Sequence, residues 1–171
     1  MRSYFRHREM NILGIDPGIN GAFACIDKDV VTVHDLPTAG EGKHRIIAAP
    51  VLAHQLRQLG PTFAVIERVH AMPNQGVSSS FRFGQAFGAI EGVLGALGVS
   101  LAYVTPQHWK KSLGLSADKD EARLRAIQLY PAVAPDLQRR KDIDRAEALL
   151  IARWAKDNLE VRRKKEETDA S

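Results

Sequence analysis

Acidic residues stand beside apolar runs at three places in the sequence, where an isolated carboxylate would be costly. Asp16 ends "NILGID", Glu67 lies at the end of the apolar run in "FAVIER", and Asp142, Asp144 and Glu147 open the last helical segment. Burying an ionised carboxylate without a partner is unfavourable by several kcal/mol. We therefore expect a cation beside Asp16.

The same acids have the chemistry of a divalent metal site. If the last helix crosses the strand ends that carry Asp16 and Glu67, the acids of the helix meet those of the strands. Asp144 and Glu147 are three residues apart and so share one face of that helix. Carboxylates at such range repel one another unless a cation neutralises them, and hard oxygen ligands suit Mg²⁺ or Mn²⁺. Two such ions about 3.5–4 Å apart form the arrangement that hydrolyses phosphodiesters.

Each acid also has an ordinary structural interpretation. Asp16 before Pro-Gly could cap its own turn, and Glu67 could pair with Arg68 or Arg82. The acids of the last segment could form a solvated helix start, where negative charge complements the helix dipole. All the positions together favour a shared site over three separate structural roles.

The elements that must position these acids follow an α/β order. Apolar runs predict strands over 11–16 and 63–68, and the "DKD" turn joins two further strands into a hairpin over 21–36. A fifth strand is predicted over 101–106, and helices over 46–59, 81–98, 118–131 and 142–159. Asp118 and Glu121 predict a capping box at the third helix. The order predicts an α/β fold with a five-stranded mixed sheet flanked by helices on both faces.

Composition indicates a single intracellular domain, and its charge suits a polyanionic partner without requiring one. The 171 residues include 24 Lys and Arg against 20 Asp and Glu, a net charge of +4. Cys25 is the only cysteine, so a disulfide framework is excluded. No long apolar run follows the basic N-terminus, so we expect a soluble protein without a membrane partner, in the cytoplasm of a bacterial or phage-infected cell. We expect one domain over 11–158, an N-terminal extension over 1–10 and a charged, disordered tail over 159–171.

Six segments of the sequence together carry a family resemblance. They are "GIDPGINGA" (Gly14 to Ala22), "AVIERVHAMPNQG" (Ala64 to Gly76), "FRFGQAFGAIEGVL" (Phe81 to Leu94), "TPQHWKKSLGL" (Thr105 to Leu115), "DKDEARLRAIQLYP" (Asp118 to Pro131) and "KDIDRAEALLIARW" (Lys141 to Trp154). In this order they resemble the RuvC-type Holliday-junction resolvases, which have the RNase H-like nuclease fold, and in particular their phage and chloroplast branch. A piece like "GIDPG" also occurs in sugar-kinase-like ATPases, whereas six segments in order with matching gaps are a strong signal. The resemblance covers residues 11–158.

The resemblance implies a metal-dependent, structure-selective endonuclease that nicks opposing strands of a four-way DNA junction, leaving 5′-phosphate and 3′-hydroxyl ends. The family's acids after the first and fourth strands match Asp16 and Glu67, and its helix acid matches Glu147. Mg²⁺ is the implied cofactor, with Mn²⁺ able to replace it, and no small-molecule cofactor is implied. These three acids are therefore candidates both for catalysis and for metal binding.

The partner of Glu147 stays open between two aspartates. Three-residue spacing favours Asp144, and the bacterial enzymes of the family also have two acids three apart. The chloroplast-like branch has "KKD" before "RAEALLIA", which selects Asp142. Both are candidate catalytic and metal-binding residues, and the resemblance leads us to expect the larger loss of rate from removing Asp142.

Basic residues in the fourth and fifth segments are candidates for DNA contact. The family places basic residues near the scissile phosphate where this chain has Lys110, Lys111 and Lys119, although each could be an ordinary surface lysine. Lys119 is the candidate for stabilising the transition state, and hence a catalytic candidate. Trp109 is interpreted as a core residue.

The loop after Glu67 is a second candidate for DNA contact. It includes Gln75, Phe81 and Arg82 among polar residues, a mixture suited to stacking on bases opened at a junction centre. The alternative is that Phe81 and Phe83 begin a core helix.

Glycines at spacings of three or four leave one face of the helix over 81–98 nearly bare of side chains. They are Gly84, Gly88, Gly92 and Gly95. A resolvase must cut two strands symmetrically, so we expect a homodimer, with this flat face as a candidate isologous contact. The alternative is that the glycines pack the helix against its own sheet.

Other functions are also compatible with parts of the pattern. A less selective RNase H-like nuclease would act on branched DNA or RNA–DNA hybrid, and a non-catalytic protein would only bind junctions. A pure binder gains nothing from carboxylates that face phosphate. An actin-like ATP-binding fragment is disfavoured by length, because that fold needs two such domains.

Overall fold

The computed structural model describes residues 10–68 and 76–169, and a mixed sheet of five strands forms its centre. The strands are Asn11–Asp16 (β1), Ala22–Asp27 (β2), Val30–Asp35 (β3), Thr38–Ala39 (β4), Ile46–Ile47 (β5), Phe63–Glu67 (β6) and Ser100–Val104 (β7), of which β4 and β5 pair only with each other. The helices are Ala49–Leu59 (α1), Val77–Ala96 (α2), Pro106–Ser112 (α3), Lys119–Leu129 (α4) and Ile143–Asp169 (α5), with short 3₁₀ helices at Gly42–His44, Pro131–Leu137 and Arg140–Asp142. The predicted five-stranded mixed sheet is confirmed.

The order of the strands brings two of the predicted acids together. The sheet runs β3-β2-β1-β6-β7, and β1 is antiparallel to β2 but parallel to β6. In the parallel pair Ile15 lies opposite Ile66, so Asp16 and Glu67 end neighbouring strands at the same edge of the sheet. In α/β sheets this carboxyl edge is where ligands usually bind.

Helices cover both faces of the sheet, as the sequence predicts. On one face α1 and α2 contribute Leu52 and Ile90 to a core that includes the apolar side of β1. On the other face α3, α4 and α5 contribute Trp109, Ala126 and Leu149, each fully buried. The sheet is therefore shielded from solvent on both sides, and its carboxyl edge is left open.

One close backbone contact fixes α5 on the sheet. Gly14 in β1 lies against the carbonyl oxygen of Ala148 and the backbone nitrogen of Ala152 in α5, and a Cβ atom at position 14 would collide with both. Ala146 and Ala148 are themselves fully buried. Small residues on both elements thus let the backbones touch, and this contact brings the start of α5 to Asp16.

The structure corrects the predicted boundaries of two helices. Ile46 and Ile47 form strand β5, so α1 begins only at Ala49, with a proline in its first turn. It ends at Leu59, and the next residue, Gly60, has a φ of 62°. The second helix, α2, begins at Val77, four residues before the predicted start. The segment that contains Phe81 is therefore helical, and the predicted loop is shorter.

The predicted capping box at α4 is only half formed. The side chain of Asp118 accepts a hydrogen bond from the backbone nitrogen of Asp120 at 2.9 Å, as a helix cap does. Glu121 accepts hydrogen bonds from the backbone and hydroxyl of Ser116 rather than from the backbone of Asp118. Because Ser116 donates to the carboxylate of Glu121, this carboxylate does not complete the capping box.

The C-terminal helix is longer than the sequence predicts. It continues to Asp169, so residues 159–169 are helical where a disordered tail was expected. The stretch "EVRRKKEETD" contains neither glycine nor proline and is rich in Glu, Lys and Arg, all good helix formers. Within residues 10–68 and 76–169, no helix is long and apolar enough to cross a membrane.

Candidate active site

Three carboxylates form a cluster where α5 crosses the end of β1. Oxygen atoms of Asp16, Asp144 and Glu147 lie within 4.8 Å of one another, and Glu67 lines the same open pocket. Asp144 and Glu147 are one turn apart at the start of α5, which is the spacing that places both on one face. The structure therefore brings these four predicted acids together.

The loop after Asp16 is held in a tight turn at the mouth of the pocket. The backbone nitrogen of Gly21 donates to the carbonyl of Gly18 at 3.1 Å, and Gly18 has a φ of 139° that favours glycine. A Cβ atom on Gly21 would collide with the carbonyl oxygen of Asp16. Arg45 stabilises this loop through a hydrogen bond, which its Nη1 donates to Oδ1 of Asn20 at 2.9 Å.

Glu67 is buried and is held by a hydrogen bond from a tryptophan. The indole Nε1 of Trp109, in α3, donates to Oε1 of Glu67 at 2.8 Å, and the tryptophan itself is fully buried. The bond fixes one carboxylate oxygen of Glu67, a residue that lines the pocket. The sequence correctly predicts Trp109 as core but misses this contact of its polar N–H.

Two lysines bring positive charge to the carboxylates. Nζ of Lys110 lies 2.7 Å from Oε1 of Glu147. Lys119, the first residue of α4, lines the same pocket. Burial raises the pKa values of Asp16, Glu67 and Asp144, and the positive charge of Lys119 opposes this rise in part. Among the residues that line the pocket, however, two lysines face four carboxylates, so negative charge is in excess.

Burial and mutual repulsion raise the pKa values of three acids in the pocket. Burial raises the pKa of Asp16 well above its ordinary value, and the charges of Glu67, Glu147 and Asp144 raise this pKa further. Burial also raises the pKa values of Glu67 and Asp144, and the charge of Glu147 adds to both. A set of oxygen donors with too little positive charge fits a hard divalent cation.

Asp142 does not join the cluster. It is 2% exposed and accepts hydrogen bonds from the backbone nitrogen of Arg139 at 2.9 Å, from its Nε at 3.1 Å and from its Nη2 at 2.8 Å. These bonds hold the pKa of Asp142 below its ordinary value. Asp142 precedes α5, which begins at Ile143, but its side chain is held by hydrogen bonds from Arg139. The residue beside Glu147 in the cluster is Asp144. The structure therefore differs from the expectation based on the resemblance, which favoured Asp142.

The other predicted DNA contacts are surface residues where they are described. Lys111 is exposed on α3, and Arg82 is exposed near the start of α2. Phe81 is 71% exposed, so it is not a core residue, whereas Phe83 is partly buried. Gln75 lies outside the described residues.

Sequence comparison supports the resemblance over part of the chain. No protein-family model matches the chain. A curated relative, the chloroplastic Holliday junction resolvase MOC1 of Chlamydomonas reinhardtii, is 30% identical over 95 residues. These residues are 54% of this chain, and the match spans only 11% of the length of that protein.

Solved structures share the architecture over most of the chain. T. thermophilus RuvC in complex with Holliday junction substrate is 20% identical and gives a TM-score of 0.63, over 84% of this chain and 90% of that chain. This chain has the RuvC-type fold. The yeast mitochondrial Holliday junction resolvase Ydc2 gives a TM-score of 0.57 at 17% identity, over 85% and 79% of the two chains. The fowlpox virus Holliday junction resolvase gives 0.52 at 16% identity, over 88% and 99%.

These structures confirm the fold predicted from the sequence, a five-stranded mixed sheet flanked by helices on both faces. In this RuvC-type fold the carboxylate cluster lies at the open edge of the sheet, where the first strand meets the C-terminal helix. The acidic cluster on this fold fits a divalent metal ion, because its carboxylates outnumber the lysines beside them.

Proposed function

We propose that this chain is a divalent-metal-dependent endonuclease that nicks opposing strands of four-way DNA junctions, that is, a Holliday junction resolvase. The observation that carries the proposal is the carboxylate cluster at the end of β1, on a fold shared with a RuvC that binds a Holliday junction substrate. The curated relative and two of the similar structures are also named Holliday junction resolvases. Fold, cluster and relatives therefore support one activity.

The proposal extends to the metal ion. Asp16, Asp144 and Glu147, together with Glu67, would hold Mg²⁺, and Mn²⁺ would replace it because both ions prefer oxygen ligands. When bound, such ions supply activation of the attacking water and stabilisation of the leaving oxygen. The chain itself supplies fixed separations between the carboxylates, since two of them end adjacent strands and two lie on one helix face.

Other residues of the pocket prepare it for the reaction. The hydrogen bond from Trp109 favours the ionised form of Glu67 and fixes its orientation. Lys119 is exposed beside the cluster, and its ammonium group can stabilise the charge that develops on phosphate oxygens. Lys110 holds Glu147 in place through its ion pair.

The proposal includes DNA contacts around this pocket. The net charge of +4 suits a polyanion, and the exposed ring of Phe81 offers a surface on which an unpaired base can stack. The proposed contact residues are Gln75, Phe81, Arg82, Lys110, Lys111 and Lys119.

A homodimer is also part of the proposal, because a four-way junction presents two strands at positions related by a two-fold axis. The glycine face of α2 supports it. A Cβ atom on Gly84, Gly88, Gly92 or Gly95 would meet no atom of the described residues within 4 Å. These glycines therefore do not pack α2 against its own sheet, which was the alternative, and their face is open to a second copy.

Cleavage of a labelled four-way junction tests the proposed function. Purified protein is incubated with the junction and with a linear duplex of the same sequence, with and without Mg²⁺. We expect paired nicks in the junction, only when Mg²⁺ is present, and little cutting of the duplex. Equal cutting of a duplex or an RNA–DNA hybrid would favour a less selective nuclease, and junction binding without any cutting would favour a non-catalytic binder.

The proposed location is the cytoplasm of a bacterial or phage-infected cell. Cys25 is buried and does not form a disulfide, which suits a reducing compartment. Fractionation of such cells with an antibody to the protein would test this location.

A further inference from the structure

A second recess lies beside the carboxylate pocket, between the β4–β5 hairpin and α2. We call it the cationic notch and define it by Ile19, Lys43, Arg45, Arg82 and Gln85. Ile19 also lines the carboxylate pocket and forms the wall that the two recesses share. The notch therefore adjoins the pocket at Ile19.

The notch has the opposite charge to the pocket. Three cationic side chains line it, and no carboxylate is among its lining residues. Lys43 and Arg82 are exposed, and in the part of the chain that the structure describes Nζ of Lys43 has no hydrogen-bond or ion-pair partner. Nε of Arg82 donates to the carbonyl of Ser78 at 3.2 Å, which orients the guanidinium while its two terminal nitrogens stay available. These donors suit an anion.

Arg45 contributes a fixed positive charge to the shared wall. Its Nη2 donates to the carbonyl of Ile19 at 3.1 Å and to Oγ1 of Thr38 at 3.2 Å, and its Nη1 donates to Asn20. All three acceptors are neutral, so the guanidinium is held in place without being neutralised within the described residues. A partly buried cation in this state favours an anionic neighbour.

We propose that the cationic notch binds a backbone phosphate of the DNA strand that is cut, next to the phosphate in the carboxylate pocket. This inference rests on the proposed function and adds a subsite to it. The shared wall places the two recesses side by side, as successive linkages of one strand require. The acidic pocket needs metal to accept a phosphate, whereas the notch accepts one directly, so it holds the strand even before metal binds.

The salt dependence of binding gives the first test. Affinity for the junction is measured without divalent metal at several salt concentrations, for the wild type and for the double variant Lys43→Ala/Arg82→Ala. Arg45 is left intact because it braces the loop of Asp16. Each neutralised phosphate contributes about 0.9 to the slope of log affinity against log salt, and the notch holds one phosphate, so we expect the slope to decrease by about 0.9. The control Arg57→Ala/Arg125→Ala removes two exposed charges elsewhere and should keep the wild-type slope.

Uncharged replacements for single backbone phosphates show which phosphate of the cut strand occupies the cationic notch. Single methylphosphonates are placed one at a time along the cut strand, and binding is measured for both proteins. We expect one position beside the cleavage site to weaken wild-type binding but not binding by the double variant. An unchanged slope, or the same profile for both proteins, would refute the subsite, as would wild-type binding that does not depend on salt. Cleavage with Mg²⁺ is scored separately, so failure of the nuclease proposal is distinguishable from failure of the notch.

Discussion

Asp142 and Asp144 are two positions apart but have different environments. Asp142 accepts hydrogen bonds from Arg139, whereas Asp144 lies in the carboxylate cluster. We expect Asp144→Asn to lower the single-turnover cleavage rate at least about a hundredfold, or about 3 kcal/mol of barrier, at saturating Mg²⁺. Asp142→Asn should lower the rate less than about tenfold, and should instead reduce the free energy of unfolding by about 1 kcal/mol, because Arg139 loses its charged acceptor. The reverse ranking of rates would show that Asp142 serves the metal site.

A substitution of Glu67 should abolish cleavage without abolishing DNA binding. Glu67→Gln removes a negative charge from the pocket but changes little surface, so we expect loss of cleavage while junction affinity stays within several-fold of wild type. Gel-shift and cleavage assays on the same preparation measure both quantities. Full activity of this variant would remove Glu67 from the proposed site.

The hydrogen bond from Trp109 should affect the pH at which the carboxyl group of Glu67 ionises. Its hydrogen bond lowers the pKa of Glu67, against the effect of burial, so Trp109→Phe should raise that pKa. A carboxyl group with a higher pKa ionises only at higher pH, and the rise of the cleavage rate with pH should therefore begin at higher pH in the variant. Trp154→Phe is the matched control, because Nε1 of Trp154 has no hydrogen-bond partner in the described residues. Identical profiles for the two variants would contradict this role of Trp109.

The close packing of β1 against α5 should not accommodate even one additional methyl group. Gly14→Ala places a Cβ atom into the backbone of Ala148 and Ala152, so we expect a loss of about 3 kcal/mol or more in the free energy of unfolding, together with loss of cleavage. Gly84→Ala on the open face of α2 is the control, and there the better helix propensity of alanine should stabilise by about 0.5–1 kcal/mol. Chemical denaturation measures both, and a Gly14→Ala protein as stable as wild type would disprove the close contact.

The same elements show what sequence patterns can and cannot reveal. Strands β1 and β6 were predictable because each is a solid apolar run that ends in an acid. Helix α3 was not predicted, because it has only seven residues and one buried side chain, Trp109. The bond from Trp109 to Glu67 joins residues 42 positions apart, so no local pattern contains it. Three-residue spacing favoured Asp144, which lies in the cluster, whereas the resemblance that favoured Asp142 did not include the hydrogen bonds from Arg139 to that residue.

For the whole molecule, the open face of α2 should control self-association. We expect wild-type protein to sediment as a dimer at micromolar concentrations, and Gly92→Arg to be a folded monomer, because a long charged side chain would block the flat face. Gln128→Arg, which adds the same charge at an exposed position of α4, should remain a dimer. A wild-type protein that is only monomeric, yet makes both nicks of one junction together, would refute the dimer.

The contact of Gly14 with α5 also affects when the proposed nuclease first becomes able to cut during its synthesis. Asp16 and Glu67 emerge from the ribosome early, whereas Asp144 and Glu147 emerge only with α5. A nascent chain that lacks α5 has only half of the carboxylates, and the strip of β1 around Gly14 has nothing packed on it. Folding of this long-range contact is therefore the step that creates the site. The proposed cutting activity should therefore appear only after α5 has been made and has docked on β1, because α5 carries Asp144 and Glu147 of the cluster.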